Sequence, residues 1–267
     1  MEQTFPIPVD GVGRSVDPRS LYAADIRSFD GPRPWVMCNM VSSFDGAVEV
    51  DGLSGGLSGP GDKAVFSAIR AVADVIIVAS GTVIAENYRK PQTPPAVQAE
   101  RQARGQSALP RIAIVSGSLS IDTSHRVFDS EAPPIVITHA GSPEERRTAL
   151  AEVSTVLITR EAATGETGAG AASVDLHDAL EQLGDRGANV ALLEGGPTLN
   201  GAFADDDLID EWCLSTAPIL VGGNSGRILR SPSNSGPLPF RLHRTLHDDG
   251  FLFHRYLRDR AGGTIDE

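Results

Sequence analysis

The chain has 267 residues, enough to bury a substantial core as one large domain, and its hydrophobic content of 40% is ordinary for a globular protein. A formal net charge of −12 with only 5% aromatic residues argues against nucleic-acid binding, because an acidic field repels a polyanion and few rings are available to stack on bases. Cys38 and Cys213 are far apart with no CxxC or HExxH spacing, which argues against a metal site, and without a leader-like start or a membrane-length apolar run the expected location is cytoplasmic.

Residues 1–33 contain Pro6, Pro8, Pro18 and Pro32 without sustained periodicity, so they are expected to form an irregular arm over a single domain at 34–258, with 259–267 as a tail. Residues 35–41 read as an apolar strand, Ser43-Phe44-Asp45-Gly46 as a turn, 47–50 as a candidate return strand and 52–61 as a Gly/Ser-rich loop. From Asp62, the spacing of Val65, Ile69 and Val72 predicts a helix, and 75–79 a short buried strand. Further strands are expected at 112–115, 135–138 and 156–159. Ser142-Pro143-Glu144-Glu145 combines a capping box with proline at the first helical position and predicts a helix to about Val153. Leu176, Ala179, Leu180 and Leu183 mark a helical stripe ended by Gly184. Residues 91–110 and 161–173 read as polar or Gly/Ala-rich connectors, while 240–247 and 251–257 flank Asp248-Asp249-Gly250 as a hairpin. The alternation predicts an α/β fold: a mostly parallel central sheet flanked by helices, with a C-terminal antiparallel hairpin and ligands at the carboxyl ends of the strands.

Residues 190–193 form an apolar strand that feeds directly into Gly195-Gly196-Pro197-Thr198. Glycines there let backbone N–H groups approach an oxygen closely, proline suits a first helical turn, and the helix dipole favours negative charge, so a phosphorylated ligand is expected at this corner. Loops 42–46, 80–89, 116–118 and 194–199 all follow predicted strands and should share one rim, bringing together Asp45, Glu86, Arg89 and Glu194.

Ser43-Phe44-Asp45-Gly46, residues 54–59, Arg70-Ala71, Ala73-Asp74, Gly81-Thr82-Val83 and Glu194-Gly195-Gly196-Pro197-Thr198-Leu199 occur in an order that resembles the reductase domain of riboflavin biosynthesis, diaminohydroxyphosphoribosylaminopyrimidine reductase. Leu208-Ile209-Asp210-Glu211 and residues 217–223 continue the likeness. The resemblance implies a dihydrofolate-reductase-like fold, NADPH as cofactor, a small pyrimidine or pterin substrate and a homodimer. It implies pyrophosphate at Gly195, Gly196, Pro197 and Thr198, with Thr82 and Glu86 at further cofactor positions, beside Ser42 and Ala79 at the ends of strands. Ser116 and Arg160 are our own candidates for the adenosine 2′-phosphate, with Ser118 as an alternative hydroxyl. Ser54, Arg70 and Glu194 match substrate positions, with Asn39 and Arg89 nearby, and either Asp45 or Glu194 would hold the pyrimidine or relay a proton.

The sequence departs from that family in places. Asn39 stands where bifunctional bacterial enzymes carry lysine, Gly56 where many relatives have tryptophan, and the segment Glu86-Asn87-Tyr88-Arg89 is shorter than usual. These departures keep open a dihydropterin substrate, and a protein that binds NADPH or pterin without turnover. Gly52-Leu53-Ser54-Gly55-Gly56 also fits the G-x-S-x-G pattern of a hydrolase, but no helix follows it immediately as a nucleophile elbow requires.

Overall fold

The apolar runs of the sequence become the parallel centre of one sheet. The computed structural model describes residues 1–6, 14–160, 174–231 and 237–260, so the 161–173 connector and the end of the tail lie outside the described residues. The strands are β1 (Glu2–Phe5), β2 (Arg14–Ser15), β3 (Trp35–Ser43), β4 (Val75–Ala79), β5 (Arg111–Val115), β6 (Ile135–His139), β7 (Thr155–Thr159), β8 (Val190–Leu193), β9 (Glu211–Ala217), β10 (Phe240–Asp248) and β11 (Phe251–Arg258). They pair in the order β2-β1-β10-β11-β9-β3-β8-β4-β5-β6-β7, parallel from β9 to β7 and antiparallel from β9 to β2.

Seven helices cover this sheet among the described residues: α1 (Pro18–Ala24), α2 (Pro60–Val72), α3 (Ser80–Ala85), α4 (Pro95–Ala103), α5 (Glu144–Ala151), α6 (Leu176–Gly184) and α7 (Pro197–Asp205). Successive strand residues point to opposite faces, and both faces are dry. Val36, Cys38, Val75 and Ile77 pack under α6 and α7, whereas Met37, Ile76 and Leu192 pack under α1 and α2. Further out, Val78, Ile114 and Val136 meet Val83 of α3 and Leu150 of α5. Each fully buried aliphatic side chain contributes about 1.5–3 kcal/mol, which is why these strands read as continuous apolar runs rather than alternating ones.

The C-terminal hairpin forms as expected, with β10 and β11 joined through Asp249 and Gly250 at φ +45° and +80°. Several local expectations change. Residues 47–50 form no strand beyond an isolated bridge from Val50 to Leu53. The capping box does not close: α5 begins after Pro143 without a side-chain cap, and Ser142 instead accepts from the Arg147 guanidinium through its hydroxyl and carbonyl oxygens. Strand β9 was not anticipated, because its period-two pattern opens on a buried glutamate that reads as a surface residue.

The N-terminal arm is more regular than its prolines suggest. β1 adds to β10, and Asp17 caps α1 by accepting from the N–H groups of Arg19 and Ser20 at 3.2 and 3.3 Å, with Pro18 at the first turn. A closed ion cluster fastens the arm to the sheet. Glu211, fully buried, accepts from Arg27 at 3.0 and 3.1 Å, from Arg255 at 2.8 and 3.0 Å and from the Trp35 indole at 3.2 Å. Asp25 completes it by holding Arg244 at 2.9 and 2.8 Å and Arg27 at 3.2 Å. Burial alone would raise the Glu211 carboxyl, but Arg27 and Arg255 hold it well below the usual carboxylate range. Arg33 makes a similar fork to Asp210 at 2.7 and 2.8 Å.

The 91–110 connector contains α4, and this helix bears on α2. Arg101 is fully buried and donates to the carbonyls of Ala71 and Ala73 at 3.0 and 2.7 Å, while Arg104 donates to Ala71 at 2.8 Å. Burial lowers the Arg101 guanidinium to about 10, with Asp74 opposing that shift. These cations sit at the carbonyl end of α2, where the helix dipole favours them.

Candidate active site

β3, β8, β4 and β5 are neighbouring parallel strands, so the loops that leave them do share one rim. Pairing of β8 with β4 extends past the strand itself: Glu194 N–H donates to Ile77 O at 2.9 Å and Ala79 N–H to Gly195 O at 2.7 Å. The chain then turns sharply. Gly195 has φ +86°, its peptide bond to Gly196 is cis, and Gly196 starts α7 with Pro197 in the first turn. A Cβ on Gly196 would lie 2.7 Å from Thr82 Oγ1, so the corner approaches the first turn of α3 closely and a side chain here would have to displace the Thr82 hydroxyl. Neither α3 nor α7 has a side-chain cap, which leaves first-turn N–H groups at this corner to a ligand.

Glu194 is next to the corner and nearly buried, with 8% exposure. Arg70, from the last turn of α2, grips it with Nε to Oε1 and Nη2 to Oε2, both at 2.7 Å. The Tyr88 hydroxyl donates to Oε2 at 2.6 Å. Burial, and next the Glu194 carboxylate, push the Tyr88 phenol well above its ordinary range, so it serves as a donor here. Arg70 would be lowered by burial, but Glu194 more than offsets this and raises it. The Phe66 ring lies under the guanidinium, 4.3 Å from its centroid to Cζ. The three polar groups form a preorganised clamp.

The remaining predicted residues fall around this pair or away from it. Asn39 follows Cys38, which pairs with Leu193, so the strand alternation puts Asn39 on the same sheet face as Glu194. Glu86, at the end of α3, accepts from Ser54 N–H at 3.1 Å and ties the 54–57 turn to the rim. Ser42 is buried at the end of β3 and Ala79 half-buried at the end of β4. Asp45 is exposed and accepts from the Ser43 hydroxyl and from the N–H groups of Gly222 at 2.8 Å and Val221 at 3.3 Å. Those bonds, the Ser43 hydroxyl foremost, lower its pKa and make it a staple for the loop after β9. Arg89 is exposed and has no ion pair among the described residues.

Two predicted cofactor residues have other partners. Ser116 is buried, and its hydroxyl accepts from Leu119 N–H at 3.0 Å within its own turn. Arg160 lies against Asp175 and Asp178 at 3.6 Å and Glu181 at 3.9 Å, beyond β7. Four strand spacings, roughly 19 Å, separate β7 from β8, so Arg160, expected at the adenosine 2′-phosphate, stands on the outer strand well away from the pyrophosphate corner. Tyr88 was missed by sequence reasoning. The only sign of it was an aromatic residue in an otherwise polar tail after α3, which Asn87, at φ +49°, turns back toward the rim.

Among the described residues no helix is long and apolar enough to cross a membrane, and no group of three or more His, Cys, Asp or Glu side chains is placed to hold a metal. A mostly parallel sheet with helices on both faces, and with a glycine corner and a carboxylate clamp at its carboxyl rim, defines an α/β protein whose candidate site lies at the strand ends. The family described as the RibD C-terminal domain matches residues 34–249, and the chain belongs to it. It is 31% identical over 198 residues to the 2,5-diamino-6-ribosylamino-4(3H)-pyrimidinone 5′-phosphate reductase of Methanothermobacter thermautotrophicus, covering 74% of this chain and 83% of that one. It is 25% identical to the riboflavin biosynthesis protein RibD of Chlamydia pneumoniae, over 75% of this chain and 52% of that one. A pyrimidine reductase-like protein of Corynebacterium diphtheriae shares the fold, with a TM-score of 0.78 at 24% identity over 92% of this chain and 100% of that one.

Proposed function

We propose that the chain is an NADPH-dependent reductase of riboflavin biosynthesis that converts the ribosylamino group of a pyrimidine phosphate to ribitylamino. The observation that carries this reading is the adjacency of an uncapped glycine corner, fit for a diphosphate, to the Glu194–Arg70–Tyr88 clamp, fit for a polar heterocycle. The relatives' names and the family support the same chemistry.

A bound nicotinamide would supply the hydride for the sugar C1, and the chain's own residues would position the two partners. Gly195, Gly196, Pro197 and Thr198 would hold the pyrophosphate, with Thr82 beside them on α3 and Ser42 and Ala79 at the strand ends. Glu194 is a fixed acceptor for the amino groups of the pyrimidine, since Arg70 and Tyr88 leave part of its acceptor capacity free. Asn39 and Ser54 line the same side, with Glu86 orienting the Ser54 loop, and Arg89 is free to meet the substrate phosphate. Asp45 acts by holding the loop at Val221 and Gly222. A homodimer is part of the reading by family likeness, and a monomer in analytical ultracentrifugation would remove it; a cytoplasmic location is the expectation from the sequence.

The test follows NADPH oxidation with the ribosylaminopyrimidine phosphate and, separately, with dihydrofolate. Oxidation with the pyrimidine alone is expected. Turnover of dihydrofolate alone, or binding without turnover of either, would overturn the reading. Gly196→Asp places a carboxylate at the diphosphate position and should weaken NADPH binding roughly 30-fold, about 2 kcal/mol, in a fluorescence titration.

A further inference from the structure

The opposite end of the sheet holds a cavity of about 480 Å³, lined where β4, β5, β6 and β8 begin. A five-residue strand spans about 17 Å, so the sheet itself separates this cavity from the rim. Arg27, Arg104, Arg111 and Arg186 all reach it. In a chain of net charge −12, this is a local reversal of sign.

The carboxylates on the cavity wall are already committed. Asp25 belongs to the ion cluster with Arg27 and Arg244. Asp74 accepts from the N–H groups of Asn189 and Val190 at 2.8 and 2.9 Å and from the Gln106 amide at 2.8 Å. Of the four arginines, only Arg27 has a carboxylate partner among the described residues. Arg104 donates to the Gln106 side chain and the Ala71 carbonyl, Arg111 to the Pro133 carbonyl and the Thr155 hydroxyl, and Arg186 to the Gln182 carbonyl. Burial and the field of Arg186 both lower the Arg111 guanidinium, in keeping with their shared place on the cavity wall.

We propose that this cavity binds a phosphate-bearing small molecule between Arg104, Arg111 and Arg186. Guanidinium forks match phosphate oxygens in pairs, and a volume of about 480 Å³ falls in the range of small-molecule sites. None of the residues that line this cavity is among those assigned to the rim.

Inorganic pyrophosphate titrated calorimetrically into the full chain tests it. Arg186 is exposed, so Arg186→Glu should leave the fold intact while weakening this binding roughly ten-fold, and Arg104→Gln should weaken it in the same direction. Thr198→Asp, an exposed change in the first turn of α7 at the rim, should leave it in place. The proposal is overturned if the wild-type chain binds no pyrophosphate, if both arginine variants bind it like wild type, or if Thr198→Asp abolishes all of it.

Discussion

The ion cluster under the arm and the clamp on the rim are built from the same two groups, guanidinium and carboxylate, yet one is closed and the other open. Glu211 takes five nitrogen donors from Arg27, Arg255 and Trp35 and is sealed from solvent. Glu194 takes three donors, from Arg70 and Tyr88, and its Arg70 partner keeps 27% of its side-chain surface exposed. A carboxylate offers about four acceptor positions, so the first group is saturated while the second keeps a position that no described residue fills. Complete pairing fixes an element in place, and under the proposed function the unfilled position at the strand end is where substrate would bind.

Breaking the open clamp should show most in catalysis. Glu194→Gln removes the charge that Arg70 and the substrate both use, and kcat/KM should fall by roughly 10³, about 4 kcal/mol, in steady-state assays. Breaking the closed cluster should show in stability instead. Arg27→Met strips one cation from Glu211 and should cost about 3 kcal/mol in urea unfolding, with kcat and KM unchanged at permissive temperature. Acid sharpens the same contrast. Because folding depresses the Glu211 pKa, its contribution is present above the unfolded value, about 4.3, and is lost as pH falls below it. Glu211→Gln should therefore flatten the acid side of the stability profile measured by urea midpoints from neutral to low pH. The smallest effect belongs to Tyr88→Phe, which removes one hydrogen bond from a carboxylate still held by Arg70; KM should rise about five-fold, near 1 kcal/mol.

The rim was legible in the sequence because buried parallel strands write themselves as apolar runs, and the residues just after each run then fall on one edge. Glu194 could be named there and Arg70 only through the family resemblance, and their mutual fork could not be foreseen, since it joins positions that come together only through packing of α2. The closed cluster was not legible. Glu211 and Asp25 look like ordinary surface charges, and their partners Arg27, Arg244 and Arg255 are spread across the chain. Ser142 shows the converse. Its local cap signal was clear, but Arg147 reaches the hydroxyl in the folded chain.

One consequence concerns Arg101. Its guanidinium, driven out of water, splints the tail of α2 one residue beyond Arg70. A polar stretch that composition would treat as a tether thus holds the end of the helix that carries Arg70. Lengthening or shortening α4 would carry the guanidinium out of reach of the Ala71 and Ala73 carbonyls and leave that helix end without its anchor.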